Sequence, residues 1–245
     1  MKDQYFGNVN DYRKYGLLRA LLSSGDLSLL VAWMLTPDDG STDGGQRRYL
    51  QEASWARHDP TLHHGLTAIL REAPAPAVEL IERTDLLPNA TFHRDLVPDG
   101  SEERRVWRES LYAAASGRDL VFLDPDNGLE VKSRPLGRRD SCKHVLWSEV
   151  EHLSRLGCSL LIYQHFPREP RARYTARRVA ELVEHTGLEV VWTFATSRVL
   201  FLLVVQPHHA ERLYYAAGRA MPAWQGQFSH AGCSPSPNAS TVGQS

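Results

Sequence analysis

"DLVFLDPDNGLEVK", Asp119 to Lys132, is the stretch on which the reading of this chain turns. Leu120 to Leu123 is a short apolar run bounded by turn signals, the pattern of a strand covered on both faces. It passes directly into Asp124-Pro125-Asp126-Asn127-Gly128, and Glu130 follows within one turn. "DPDNG" is a strong turn sequence in its own right, because Asp and Asn bond their own backbone and Gly permits positive φ. An ordinary surface turn has no need of the end of so apolar a strand, whereas an open α/β sheet places its ligands beyond the carboxyl ends of its strands. The expectation is that Asp124 and Asp126 are site residues.

Outward from that strand, apolar runs alternate with helical patterns. Toward the C-terminus come a helix near Ser148 to Leu156, a strand at Cys158 to Gln164, a helix from about Pro170 to His185, strands at Leu188 to Ala195 and Val199 to Gln206, and a helix from His208. Toward the N-terminus, Leu17, Leu18, Leu21 and Leu22 recur at helical spacing, which predicts a helix from Asp11 to Leu22 with Asn10 or Asp11 as its cap and an end near Gly25. Leu27 to Leu35 reads as the first core strand. A polar loop follows, then helical sequence around Arg47 to Trp55 and Pro60 to Ala73, a connector at Ala73 to Pro76, short strands at Val78 to Arg83 and Ala90 to Val97, and a helix over Ser101 to Ser116.

Such alternation predicts an α/β fold with a doubly wound, mostly parallel sheet. Only "TSR" separates the last two strands, too short for a parallel crossover, so they are expected to pair as an antiparallel hairpin. One α/β domain is expected over residues 1 to 224. The tail 225 to 245 lacks periodicity and is expected not to fold.

With 245 residues and 42% hydrophobic content, the chain can bury one large core. Its formal net charge is -1, so any polyanion site must be local. Cys142, Cys158 and Cys233 are scattered and lack metal-ligand spacing, which favours a reducing compartment. The N-terminal stretch has no apolar signal core, and no run approaches the roughly 20 residues needed to span a bilayer. A cytoplasmic protein without a membrane partner is the expectation.

The chain resembles the class I methyltransferases, whose parallel sheet closes with a late antiparallel hairpin. In local sequence it is most similar to the large-subunit ribosomal RNA adenine methyltransferases with an Asp-Pro-Pro-Tyr motif. The resemblance lies in "FGNVNDYRKYGLL" (Phe6 to Leu18), with its Gly-Asn pair, Asp and Lys, in "FLDPDNGLE", and loosely in "LLVVQPHHAERL". It implies S-adenosylmethionine as cofactor and an amine of RNA, DNA or a nucleotide-like small molecule as substrate. Asp124 would accept from the amine, Asp126 or Asn127 would orient it, and Lys14 would lie near the cofactor or the motif loop. The loop after the first strand would lie beside the methyl donor, through Asp38, Asp39, Gly40, Asp43 and Gly44. Here Asp126 stands in place of the second proline and Asn127 in place of the aromatic, so a stacking ring must come from Tyr163, Phe166 or Trp33.

Two alternatives stand beside this reading. Asp38, Asp124, Asp126 and Glu130 would hold magnesium or manganese if they face one crevice, giving a metal-dependent phosphodiesterase or nuclease with His165 as proton carrier. A protein that keeps the fold and binds a partner without catalysis is the third. Gln164 and His165 end a second buried strand and should lie next to Asp124. His165 is a candidate acid or base. Arg168, Arg171 and Arg173 begin the densest basic patch and are candidate phosphate ligands.

Overall fold

The structure, a computed structural model, describes residues 1–40 and 44–231. Its α/β architecture is built on a central sheet of strands β1 (Leu29–Ala32), β2 (Ala90–His93), β3 (Leu120–Leu123), β6 (Ser159–His165), β7 (Val191–Ala195), β8 (Val199–Val204) and β9 (Ser229–Ala231), in the order β2-β1-β3-β6-β8-β7-β9. The four from β2 to β6 pair in parallel, with Leu29 opposite both Ala90 and Leu120, and Leu120 opposite Ser159. β8 then enters antiparallel between β6 and β7. A separate parallel pair, β4 (Gly128–Leu129) with β5 (His144–Val145), lies beyond the end of β3.

The sheet is covered on both faces because β1, β3 and β8 are apolar at every position. Leu29, Val31 and Trp33, with Leu120 and Phe122, join one core, together with Leu17 and Leu18 of α1 (Val9–Leu21), Leu62 and Leu66 of α3 (Pro60–Glu72) and Leu213 of α8 (Ala210–Ala220). Their neighbours Leu30, Ala32, Val121 and Leu123 point the other way, as the two-residue period of a strand requires. That face packs on Trp107 and Leu111 of α5 (Ser101–Ala115), Val150 and Leu153 of α6 (Trp147–Arg155), and Tyr174 and Leu182 of α7 (Arg171–Thr186).

Several expectations are corrected. α1 begins at Val9, not Asp11, because the Asn8 side chain accepts from the backbone N–H groups of Asn10 and Asp11 and so caps the first turn. Val78 to Arg83 is not a strand: Glu79–Glu82 forms α4, with Ile81 buried and Glu79 paired to Arg83 one turn on. α2 (Ala53–Ala56) is a single turn. The tail does not become unstructured at Gln225, since Ser229–Ala231 pairs antiparallel with the edge of β7. A half-open sheet edge offers unpaired backbone groups to any segment that can reach it. Residues 232–245, including Cys233, lie outside the described residues.

Because β1 is flanked by β2 on one side and β3 on the other, the chain reverses its winding there. The crevice beyond the carboxyl ends of β1 and β3 is the topological switch point, where such sheets bind their ligands.

Candidate functional site

The motif loop leaves β3 and is held from three sides. Asp124 N–H donates to the Ala32 carbonyl at 3.1 Å, and Asn127 N–H to the Lys143 carbonyl at 2.9 Å. Gln164, at the end of β6, clasps the loop: its Nε2 donates to the Asn127 carbonyl at 2.9 Å, and its Oε1 accepts from Leu129 N–H at 2.8 Å. Gly128 sits under that amide at φ 120, and a Cβ there would meet Gln164 Cδ at 2.3 Å. The site needs a glycine at 128 for both reasons. Gln164 is 3% exposed, with its amide spent on holding the loop.

The Gly-Asn, Asp and Lys of the N-terminal stretch form one relay into this loop. Gly7 N–H donates to Asp11 Oδ2 at 2.8 Å, and Lys14 Nζ bridges Asp11 Oδ1 at 2.9 Å and Asp124 Oδ2 at 2.6 Å. Lys14 and Asp124 side chains are each only 2% exposed. Burial disfavours the lysine's charge, but Asp11 and Asp124 outweigh it and raise its pKa. Asp11 itself is held up by its burial, with Lys14 opposing. Lys14 also lies 4.9 Å from the centre of the Tyr163 ring.

Asp126 points elsewhere. Its Oδ2 accepts from the Thr36 hydroxyl at 2.5 Å, and its Oδ1 lies 2.8 Å from the Met1 amino group. That amino group also donates to the carbonyls of Met34 and Asp124, each at 3.1 Å. Burial pushes the Asp126 carboxyl up, yet the Met1 ammonium and the Thr36 hydroxyl hold it below the ordinary carboxylate range. Oxygen acceptors from two strand ends and one side chain thus converge on a single ammonium.

Asp126 and Asn127 line a cleft of about 490 Å³, with Tyr163 and His165 from β6, Asn8 and Asn10 from the start of α1, and Tyr5, Gly44, Gln46, Lys2, Lys143 and Arg198 around them. Neutral carboxamides, two phenol rings and a few cations are a lining suited to a polar aromatic ligand. Asp124 and Lys14 do not line it. Tyr163 does, with His165 standing edge-on to its ring at 5.1 Å, whereas Trp33 is fully buried and Phe166 lines a neighbouring cleft. His165 keeps an open ring edge, but packing around it lowers its pKa and the Lys14 charge adds to that effect.

The loop after β1 approaches the cleft from the side. Asp38 accepts from Gln4 N–H at 3.3 Å, and Asp39 pairs with Lys2 at 2.5 Å. Gly40 is exposed, Gly44 packs against Tyr5, and Asp43 lies outside the described residues. The four carboxylates weighed as metal ligands do not gather as expected. Asp38 holds the Gln4 amide, Asp124 faces Lys14, and Glu130 Oε2 accepts from Trp147 N–H at 2.9 Å at the start of α6. Among the described residues no group of three or more His, Cys, Asp and Glu side chains is placed to hold a metal ion. Arg168 and Arg171 line the second cleft, of about 600 Å³, which shares His165 and Arg198 with the first. Arg173 is exposed on the first turn of α7.

Sequence reasoning missed Lys2, Tyr5, Asn8, Asn10, Gln46 and Arg198 as lining residues. The signal for Asn8 was present, since a Gly-Asn pair before an apolar-periodic helix is a cap. Asn10 lies in the first turn of α1, and the others come from short segments without periodicity.

Fold and site together define an α/β protein with a mostly parallel central sheet and a polar cleft at its switch point. Among the described residues no helix is long and apolar enough to cross a membrane. Compared with protein-family models and with curated proteins, the chain matches none.

Proposed function

We infer that the chain is a methyltransferase of the class I type, acting with S-adenosylmethionine on an amine of a nucleic acid or nucleotide-like substrate. The observation that carries this reading is the placement of Asp126 and Asn127 in a cleft at the switch point between β1 and β3. The strand order supports it, because a parallel sheet that closes with an antiparallel hairpin is the arrangement that the sequence resemblance implies.

The residues present fit the cofactor. The oxygen acceptors of Met34, Asp124 and Asp126 surround the Met1 ammonium, and the α-ammonium of the cofactor, which needs acceptors of that kind, would take that group's place. Asp126, Asn8 and Gly44 would hold it. When bound, the cofactor supplies an electrophilic methyl group on sulfur.

The chain's own residues account for the rest of the chemistry. The lone pair of an aromatic amine is delocalised into its ring, and acceptors on its two hydrogens free that pair for attack. Asp126 and the Asn127 side-chain oxygen are the acceptors at the cleft. Asp124 takes the role of a positioning residue, because Lys14 occupies its carboxylate and its carbonyl helps form the ammonium site. Tyr163 offers a ring face to a planar substrate, and His165, held neutral at physiological pH, receives the proton that the amine loses. Incubation with tritiated methyl donor and separate pools of RNA, DNA and nucleotides tests this reading. Label is expected in one pool with wild type and in none with Asp126→Asn; label that persists in the variant contradicts the assigned role.

A further inference from the structure

Formal charge nearly cancels over the whole chain, but not over its surface. From residue 132 to 143 the sequence carries Lys132, Arg134, Arg138, Arg139 and Lys143 against a single acid, Asp140. Lys132, Arg134, Arg138 and Arg139 are all exposed. Asp140 is spent within the loop, 3.0 Å from Lys143 and 4.0 Å from Arg139. Among the described residues Lys132, Arg134 and Arg138 have no carboxylate within ion-pair distance. The loop adjoins the cleft, since Lys143 lines it and the Lys143 carbonyl holds Asn127.

A second bank stands beyond His165. Arg168, Arg171 and Arg198 line the more open neighbouring cleft, and among the described residues none has an ion pair. Glu169, the acid between them, is taken up by Arg177 at 3.0 Å. Phe166 lies on the floor of this cleft with the Arg171 guanidinium 5.5 Å from its ring centre. His165 and Arg198 line both clefts, so the two are one continuous groove.

Cations left unpaired beside a ligand cleft, on both of its sides, raise the local concentration of a polyanion. Guanidinium groups match phosphate oxygens in a two-pronged geometry, and rings between them stack bases without regard to sequence. We propose that the 132–143 loop, the cleft and the Arg168–Arg198 bank form one track for a single-stranded polynucleotide, with one base entering the cleft at Asp126 and Asn127. This rests on the methyl-transfer reading for the identity of the entering group. A paired base cannot present its amine to the cleft without leaving the stack, which is why the strand is single. An acidic protein would be steered by the same charges but offers no bases to the rings and carboxamides.

The test is fluorescence anisotropy with labelled mixed-sequence oligonucleotides of about 12 residues, long enough to cross an electrostatic groove of this kind. Ribo- and deoxyribo-strands and a blunt duplex are titrated over a range of salt with wild type, Arg138→Glu/Arg139→Glu and Arg168→Glu/Arg198→Glu. All four side chains are exposed and make no bonds that the fold requires. At least one kind of single strand is expected to bind, more tightly than duplex. Each double reversal should weaken it about tenfold or more and flatten the plot of log K against log salt by about 1.4, the share of two phosphates on a single strand. The stronger of the two single strands identifies the sugar. Equal or tighter duplex binding, or binding unmoved by both reversals, overturns the track. Methyl-donor titration separates the two claims: donor bound with no oligonucleotide bound sinks the track alone, and the converse sinks the methyl-transfer reading alone.

Discussion

Lys14 Nζ stands 2.6 Å from Asp124 Oδ2 and 2.9 Å from Asp11 Oδ1, with all three side chains buried. One cation thereby joins the first helix to the end of β3. Removing it leaves two buried carboxylates uncompensated, so Lys14→Met should cost about 3–5 kcal/mol. Asp124→Asn leaves Lys14 with Asp11 and should cost less, about 1–3 kcal/mol. Urea unfolding of the two variants measures the difference; an equal or reversed order would show that the lysine does not neutralise both acids.

Asp126 and Asn127 carry the chemistry in the proposed reaction, whereas Asp124 positions it. Asp126→Asn should lower turnover by about 100- to 1000-fold, the loss typical of removing one preorganised polar contact to the reacting group. It also leaves the buried Met1 ammonium without its carboxylate, so it should cost about 1–3 kcal/mol of stability. Turnover measured beside the urea midpoint checks this; a variant that loses both in proportion assigns Asp126 a structural role.

Gly128→Ala addresses the clasp of Gln164. The substitution forces a side chain into φ 120 and against the Gln164 amide. A cost of about 1–3 kcal/mol is expected from the backbone alone. Hydrogen exchange at Leu129 N–H, which donates to Gln164, should rise with it; unchanged protection there contradicts the clasp.

Much of this was legible beforehand. The run Leu120 to Leu123 into Asp-Pro-Asp-Asn-Gly announced the end of a central strand, which the fold places at the cleft, and the hairpin after Ala195 followed from a connection too short to cross over. What escaped was set by partners distant in sequence. Nothing in "VELIER" distinguishes a strand from a helical turn until Ile81 finds its place under the sheet. The two-residue strands β4 and β5 are too short to show a period. The direction of Asp124, toward a lysine and away from the cleft, depends on where α1 packs. The basic loop at 132–143 was visible as composition, but its position beside the cleft comes from the bond between Asn127 and Lys143.

His209 makes stability depend on pH. It is 2% exposed, with Nε2 3.1 Å from Asp119 Oδ1 and Nδ1 3.0 Å from Ser159 Oγ. Burial lowers its pKa below the ordinary 6.5, His208 adds to this, and Asp119 opposes it. The unfolded chain therefore binds a proton that the fold resists. This contribution is full above 6.5 and is lost as pH falls below it. The urea midpoint should fall between about pH 7 and about pH 5, and His209→Gln should flatten that fall. An unaltered slope in the variant would mean that other groups govern the acid limb.

Isothermal titration of the folded protein with S-adenosylmethionine tests the methyl-transfer reading most directly, because it needs no knowledge of the substrate. Wild type should bind with a dissociation constant on the order of 1–100 μM, about 5–8 kcal/mol of binding free energy, and Asp126→Ala should bind at least tenfold more weakly. No heat up to about 1 mM methyl donor, with the protein folded, would contradict the proposed function.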